Sequence, residues 1–519
     1  MNHRTEDLTL PRVLARQARA LGDRKFLTWL ADGRSWSFAQ ADADSTRLAA
    51  GLRERGVRKG THVALMLENC PEFLLLVFAL GKLGAVAVPL NTAARGKYLQ
   101  YYLDQSDAQF LIVDDSLADR IENRERLKEI IFISSYEELR SASGPAAEDG
   151  VCFSDPACIL YTSGTTGPSK GNMMCQAAAL SVGLSNVEAH GYRPDDVVYA
   201  CLPLFHMNAL QASSFAALVA GIPLVLSPRF SASRYWQEIG AAGATVTGML
   251  GSMANILWNR PPSQDDRSGL RLAICAPIPP FGAAFERRFG LRLASSYGIS
   301  DYGLITAYTA SDPRDKLGSA GRARRGFEVR ILGEQGEDLP PGQPGEIAAR
   351  CDDPWRVTSG YYGMPEQTAA SRSGGWFHTG DRGTLDAEGY LSFVGREKDA
   401  IRRLGENISA FEVEQVLDAH PAVAESAVFA LAAGGEDEVA AAIVLKPAAN
   451  LTERELIEYC RGNMAYYMVP RYVEFRAGLP RTLNHKIEKF RLREELAQNP
   501  GRAWDREAAG IVLRRGTTQ

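Results

Sequence analysis

The sequence predicts an α/β fold: a large N-terminal domain of two doubly wound sheets plus a β subdomain, followed by a small α/β C-terminal domain. Three observations carry this. From His62 to Ala294 short apolar runs alternate with segments of helical period, the pattern of a mostly parallel sheet covered on both faces. From Gly318 the texture changes to short strands between Gly and Pro turns, and beyond Gly395 a compact α/β pattern resumes. At 519 residues with 45% hydrophobic content, the chain exceeds one ordinary domain. The domains are expected to span 1–397 and 398–519, with the boundary at Lys398.

Taken in order, apolar residues recur at helical spacing over 10–21, and 26–36 alternates as a hairpin around Asp32-Gly33. Residues 37–55 form a strongly periodic helix ended near Gly56. Strands are expected at 62–67, 86–90 and 110–113, with a helix at 72–83; His62, beside this sheet, reads as structural. The polar stretch 115–149 reads as a long connection into a strand at 157–160, and a helix is expected from 173 to 182. The second unit has strands at 197–202, 224–226, from Thr245, at 273–278 and at 292–294, with helices at 209–221 and 235–242. Its functional loops fall at the carboxyl ends of strands, where open α/β sheets bind ligands. Short strands follow at 328–332, 346–349 and 390–394. The C-terminal piece has helices at 412–419 and 453–461 and strands at 423–429 and 439–445, and its polar tail after Gln498 is expected to fray.

Lys plus Arg at 58 against Asp plus Glu at 62 gives a net charge of −4, which argues against a nucleic-acid or anionic-membrane surface. The eight Cys are scattered without the close pairs of a zinc site or the density of a disulfide framework, and read as buried thiols in a reducing cytoplasm. The longest apolar run, 73–80, is far shorter than a bilayer requires, and residues 1–18 lack the apolar centre of a signal peptide. A soluble, cytoplasmic protein is expected.

One stretch organises the rest: Tyr161-Thr162-Ser163-Gly164-Thr165-Thr166-Gly167-Pro168-Ser169-Lys170-Gly171. Hydroxyls, glycines and one lysine after a buried strand suit polyphosphate, because glycine lets backbone N–H groups approach a ligand closely. It is not a Walker A loop, which needs Gly where Ser169 precedes Lys170. Residues 167–171 also match the G-x-S-x-G of a hydrolase nucleophile elbow, although Pro and Lys flanking the Ser favour phosphate. Read alone, the stretch is by default a Ser/Thr/Gly surface loop with no ligand.

It does not stand alone. Downstream come Ser296-Tyr297-Gly298-Ile299-Ser300-Asp301, Gly375-Trp376-Phe377-His378-Thr379-Gly380-Asp381, Gly395-Arg396-Glu397-Lys398-Asp399, Gly405-Glu406-Asn407-Ile408, and Leu479-Pro480-Arg481-Thr482 with Lys486. Together these resemble the motifs of the adenylate-forming superfamily, from about Phe26 to about Leu492, and the C-terminal half is most similar to acyl-CoA synthetases, the AMP-dependent acid–CoA ligases.

The resemblance implies a reaction in which a carboxylic acid, ATP and CoA give acyl-CoA, AMP and pyrophosphate through an acyl-adenylate. It implies ATP, Mg²⁺ and CoA as cofactors and co-substrates, with a small carboxylic acid or acyl-adenylate as partner, and leaves a homodimer open. Thr162, Ser163, Gly164, Thr165, Thr166, Gly167 and Lys170 would hold the phosphates; Ala276, Pro277, Ser296, Tyr297 and Gly298 would line the adenine, Tyr297 lying flat on it. Asp381 and Arg396 would contact the ribose. Thr166 and Asp301 would face the metal, Asp301 standing where most relatives have Glu. Lys486 would carry adenylation, preceded by His485 where relatives commonly have Gly.

For the thioester step, the C-terminal domain would be a mobile cap hinged at Lys398, with Arg402, Arg403, Gly405 and Glu406 toward CoA. His206 is either an acyl gate or a packing residue, and His206, Met207, Met249 and Gly251 mark the acyl pocket, which Leu250 and Met253 extend as apolar lining. Two other readings stay open: a partial enzyme that only transfers a preformed acyl-adenylate to CoA, and a non-catalytic nucleotide-binding relative.

Overall fold

The computed structural model describes residues 4–94, 96–144, 150–161, 169–396, 400–403, 406–433, 436–464, 466–481 and 487–513; of 97, 98, 396, 400, 402, 406, 407 and 436 only the backbone is described. It is a mixed α/β fold with a large N-terminal body of sheets and a small C-terminal domain. Local chemistry starts the helices where the sequence places them. The Thr9 hydroxyl accepts from the Arg12 amide at 3.3 Å ahead of the helix Leu10–Leu21, and Ser37 with Gln40 forms a capping box on Phe38–Glu54.

Among the described residues the first sheet runs in the order Gly360–Tyr361, Gly171–Cys175, Pro156–Tyr161, Val86–Pro89, His62–Met66, Phe110–Val113, Glu129–Phe132. Its centre is parallel, but Pro156–Tyr161, Gly171–Cys175 and Gly360–Tyr361 pair antiparallel in succession. The second sheet runs Arg322–Ala323, Gly303–Tyr308, Arg292–Ile299, Leu272–Ala276, Val246–Leu250, Val198–Ala200, Leu224–Leu226, Lys25–Trp29, Ser35–Ser37. Its five central pairings, from Arg292–Ile299 to Lys25–Trp29, are parallel. The helices Pro71–Leu83 and Gln176–His190 are buried along most of their length in one apolar core that joins both sheets.

A third, antiparallel sheet holds Phe327–Leu332, Gly345–Cys351, Trp376–Leu385, Arg372–Ser373 and Leu391–Arg396. The C-terminal domain has its own core, in which Ile401, Val413, Leu417, Val439 and Leu456 are fully buried. It touches the body through Asn259 Nδ2, which donates to the Ala424 carbonyl at 3.3 Å.

Four expectations are corrected. The segment after the phosphate loop is a strand, Gly171–Cys175, before the helix Gln176–His190 begins, because this strand gains a hydrogen-bonded partner on each side, a tertiary gain larger than helix propensity. The long connection 115–149 contains a strand, Glu129–Phe132, and a short helix, Tyr136–Arg140. The tail does not fray at once: Trp504–Asp505 pairs with Tyr472–Phe475, and Arg506 is fully buried, donating to the Pro470 and Ile511 carbonyls. The cysteines are all unpaired, as expected, but Cys152 is exposed and Cys70 and Cys351 are only partly buried. Among the described residues no helix is long and apolar enough to cross a membrane.

Candidate active site

The phosphate stretch is anchored at both ends. Tyr161 and Gly171 are cross-strand partners, so the connection leaves and rejoins the sheet at one register pair. At its exit Ser169 is held by two tyrosines of the helix Gly96–Gln105: Tyr101 donates to its carbonyl at 2.8 Å, and the Tyr102 and Ser169 hydroxyls lie 3.2 Å apart. Gly171 is the residue that close packing requires, since a Cβ there would stand 2.8 Å from Gln105 Oε1 and 2.9 Å from Ile159 Cγ2. Lys170 follows Ser169, its ammonium 4.5 Å from the centre of the Tyr361 ring. Thr162, Ser163, Gly164, Thr165, Thr166 and Gly167 lie outside the described residues.

The strand expected at 292–294 runs on to Ile299 and carries Ser296, Tyr297 and Gly298 toward the third sheet. The Tyr297 hydroxyl donates to Asp381 Oδ2 at 2.8 Å, and its ring is buried near Phe393, with centroids 6.3 Å apart. Ala276 and Pro277 are exposed at the carboxyl end of Leu272–Ala276. Ser296 Oγ is hydrogen-bonded to His190 Nε2 at 2.9 Å. His190 lies at the end of the long helix, and burial, with the Arg324 charge nearby, lowers its pKa to about 3, so the imidazole is neutral.

Asp381 sits on a strand, Trp376–Leu385, at a bulge. Glu346 pairs with Arg382 and Ala348 with His378, so Thr379, Gly380 and Asp381 together oppose Ile347. Gly380 takes a left-handed φ of 66° there. Glu346, which the sequence did not single out, ties the bulge down: it accepts from the Gly380 amide at 3.1 Å and pairs with His378 Nδ1 at 2.8 Å. The Thr379 hydroxyl donates to the Ile347 carbonyl and accepts from the Asp381 amide. Arg396 is the cross-strand partner of Asp381 by backbone register; its side chain lies outside the described residues.

Asp301 Oδ2 accepts from the Tyr361 hydroxyl at 2.8 Å. Among the described residues no group of three or more His, Cys, Asp or Glu side chains could hold a metal ion. One carboxylate is nevertheless the donor set that suits Mg²⁺, which binds through one or two carboxylates and otherwise through substrate phosphates and water. Asp301 therefore fits a nucleotide-borne Mg²⁺.

On the acyl side, His206 and Met207 are partly buried after Phe205, whose ring meets the imidazole edge-on at 4.6 Å between centroids. The helix that follows starts as a π-helix, Asn208–Phe215. Met249 and Met253 are buried in the core, while Met207 and Leu250 pack at its margin. Gly251 opens the helix Gly251–Trp258 against Pro277, where a Cβ would stand 2.8 Å from the Pro277 carbonyl oxygen. The position of Gly248 is shaped by polar groups: its Cβ would lie 3.0 Å from Asn208 Oδ1 and 3.5 Å from Ser213 Oγ.

Lys398, Gly405, Lys486 and His485 lie outside the described residues, as do the side chains of Arg402 and Glu406. Arg403, expected toward CoA, is buried in the C-terminal domain, ion-paired with Glu438 at 2.6 Å and donating to the Tyr467 carbonyl at 3.0 Å. With its charge engaged inside the domain, it does not present a free guanidinium to a CoA phosphate in this structure.

Two family models match most of the chain. The AMP-binding enzyme model matches residues 14–362, and the model of the AMP-binding enzyme C-terminal domain matches residues 412–486. The chain is 32% identical over 486 residues to a crotonobetaine/carnitine–CoA ligase of Salmonella paratyphi B, covering 89% of this chain and 93% of the relative. Two solved structures are similar over nearly the full length. The anthranilate CoA ligase AuaEII in complex with anthranoyl-AMP superposes with a TM-score of 0.88 at 26% identity, covering 95% of this chain and 98% of that one. ATP-bound MatB from Rhodopseudomonas palustris gives 0.85 at 29% identity, covering 94% and 99%.

Proposed function

The chain belongs to the AMP-binding enzyme family, as an AMP-forming acid–CoA ligase of the adenylate-forming superfamily, and from that premise we propose that it activates a small carboxylic acid in two half-reactions. In the first, the acid carboxylate attacks the α-phosphate of ATP and pyrophosphate leaves. In the second, the CoA thiol attacks the acyl carbonyl and AMP leaves. The observation that carries this reading is the Tyr297–Asp381 contact at 2.8 Å, which joins the proposed adenine and ribose residues into one site.

The barrier to adenylation is largely repulsion between anions, so preorganised donors and cations supply most of the catalysis. Lys170 and the hydroxyls of 162–166 would hold the β- and γ-phosphates, and Asp381, an ionised acceptor, the ribose hydroxyls. Asp301 and Thr166 would face Mg²⁺, which when bound neutralises phosphate charge. Lys486 would neutralise the carboxylate and α-phosphate oxygens as they meet. For the thioester step the domain beyond Lys398 would turn and present the Gly405 segment, through which pantetheine runs close to the backbone. That the two family matches end at 362 and begin at 412 supports a boundary in the interval that contains Lys398.

The test is exchange of labelled pyrophosphate into ATP across a panel of carboxylic acids that includes carnitine, crotonobetaine and anthranilate, the acids named for relatives. Exchange with one acid, followed by CoA-dependent thioester formation, is expected. Conversion of synthetic acyl-AMP to thioester without exchange would identify a partial enzyme instead, and neither activity would leave a binding protein.

A further inference from the structure

Tyr361 stands between the two charges that flank the phosphate stretch, and it was not among the residues the sequence singled out. It lies on the two-residue strand Gly360–Tyr361, in register with Asn172, which places its backbone beside the chain just after Lys170. Its hydroxyl donates to Asp301 Oδ2 at 2.8 Å, and the Lys170 ammonium lies over its ring, 4.5 Å from the centroid.

The rest of the corner is braced. Asn172 donates to the Ser300 carbonyl and accepts from the Thr358 hydroxyl, and that hydroxyl also accepts from the Gly360 amide at 2.9 Å. The Tyr361 amide donates to Thr368 Oγ1 at 2.9 Å. Both ends of the Tyr361–Asp301 contact are thus fixed from behind. Among the described residues no ion pair joins Lys170 to Asp301; the aromatic ring joins them instead.

An ammonium and a carboxylate in one cleft attract each other strongly, and a direct pair would offer little net charge to an incoming polyphosphate. A ring face holds an ammonium without cancelling its charge. We propose that Tyr361 is a positioning residue that keeps Lys170 and Asp301 apart and fixes the Asp301 carboxylate, so that each meets the nucleotide unpaired with the other. The hydroxyl also restrains a side chain one methylene shorter than the Glu implied there by the family resemblance. This inference rests on the nucleotide site proposed above.

The experiment is calorimetric titration of ATP into the full-length protein, with Mg²⁺ and with EDTA, alongside thermal melts. The variants are Tyr361→Phe, Tyr361→Leu, Asp301→Asn and the double variant Tyr361→Phe/Asp301→Asn. Tyr361→Phe keeps the ring and loses the bond to a charged acceptor, and should reduce the Mg²⁺-dependent gain in ATP affinity about tenfold while leaving metal-free binding unchanged. Tyr361→Leu, which also lets Lys170 reach Asp301, should weaken both. The double variant should bind no more weakly than Asp301→Asn alone, because the two changes remove one shared interaction.

Should Tyr361→Leu fail to fold, the isosteric Phe variant and the double variant decide. Wild-type MgATP affinity in Tyr361→Phe, or full additivity in the double variant, overturns the assignment and leaves the proposed function standing. A wild-type protein that binds no ATP under either condition overturns both.

Discussion

The Tyr297 hydroxyl donates to Asp381 Oδ2 at 2.8 Å across 84 positions of sequence, tying the end of the second sheet to a bulge in the third. The carboxylate is buried, where hydrogen bonds to an ionised acceptor count for more than in water.

Asp381→Asn should therefore weaken ATP binding by roughly 10- to 150-fold, the range for hydrogen bonds to a charged group. Equilibrium titration of ATP checks this. Unchanged affinity would remove Asp381 from the ribose site.

Gly251→Ala should perturb the nucleotide wall rather than the acyl pocket alone. Its Cβ would stand 2.8 Å from the Pro277 carbonyl oxygen, so the helix or the wall has to shift, at a cost of about 1–3 kcal/mol. A lower melting temperature with a raised KM for ATP is expected; a raised KM for the acid with ATP untouched would place Gly251 in the acyl pocket instead.

Lys486→Ala should lower adenylation by roughly 10²–10³, as loss of a transition-state donor does, and leave thioester formation from supplied acyl-AMP intact. Pyrophosphate exchange and a CoA-dependent assay on synthetic acyl-AMP separate the two steps. Equal loss in both would count against a domain that turns between them.

Gly405→Leu should have the reverse effect, blocking the approach of pantetheine while pyrophosphate exchange continues. Normal thioester formation in this variant would remove Gly405 from the CoA path.

His190 makes stability pH-dependent on the acid side. Its folded pKa of about 3 lies below the ordinary histidine value of 6.5, so between these limits the unfolded chain binds a proton that the folded chain does not. Its contribution is present above pH 6.5 and is lost as pH falls toward 3. His190→Asn should flatten the stability profile by up to one proton, about 1.4 kcal/mol per pH unit. Denaturant melts from pH 7 to pH 4 measure it, and an unaltered slope would show that the imidazole protonates in the folded state.

Local pattern sufficed for much of the fold. The helices Leu10–Leu21 and Tyr235–Ala242 begin and end where the apolar period predicts, because their apolar stripes and flanking residues lie within the segments themselves. Motif order sufficed for the family and the reaction class. Local pattern failed at Gly171–Cys175 and at Trp376–Leu385, whose strand character comes from pairing with chain outside the segments themselves.

The sequence by itself determined the α/β class, the adenylate-forming family and the identity of Lys170, Tyr297, Asp301 and Asp381 as residues to examine. Only the tertiary structure decided that Tyr361 stands between Lys170 and Asp301, that Glu346 anchors the bulge at Asp381, and that Arg403 is spent on Glu438. Period and motif are written within short windows of chain. A contact between residues roughly 30 or more apart depends on sheet register and bulges, which the whole packed core sets together.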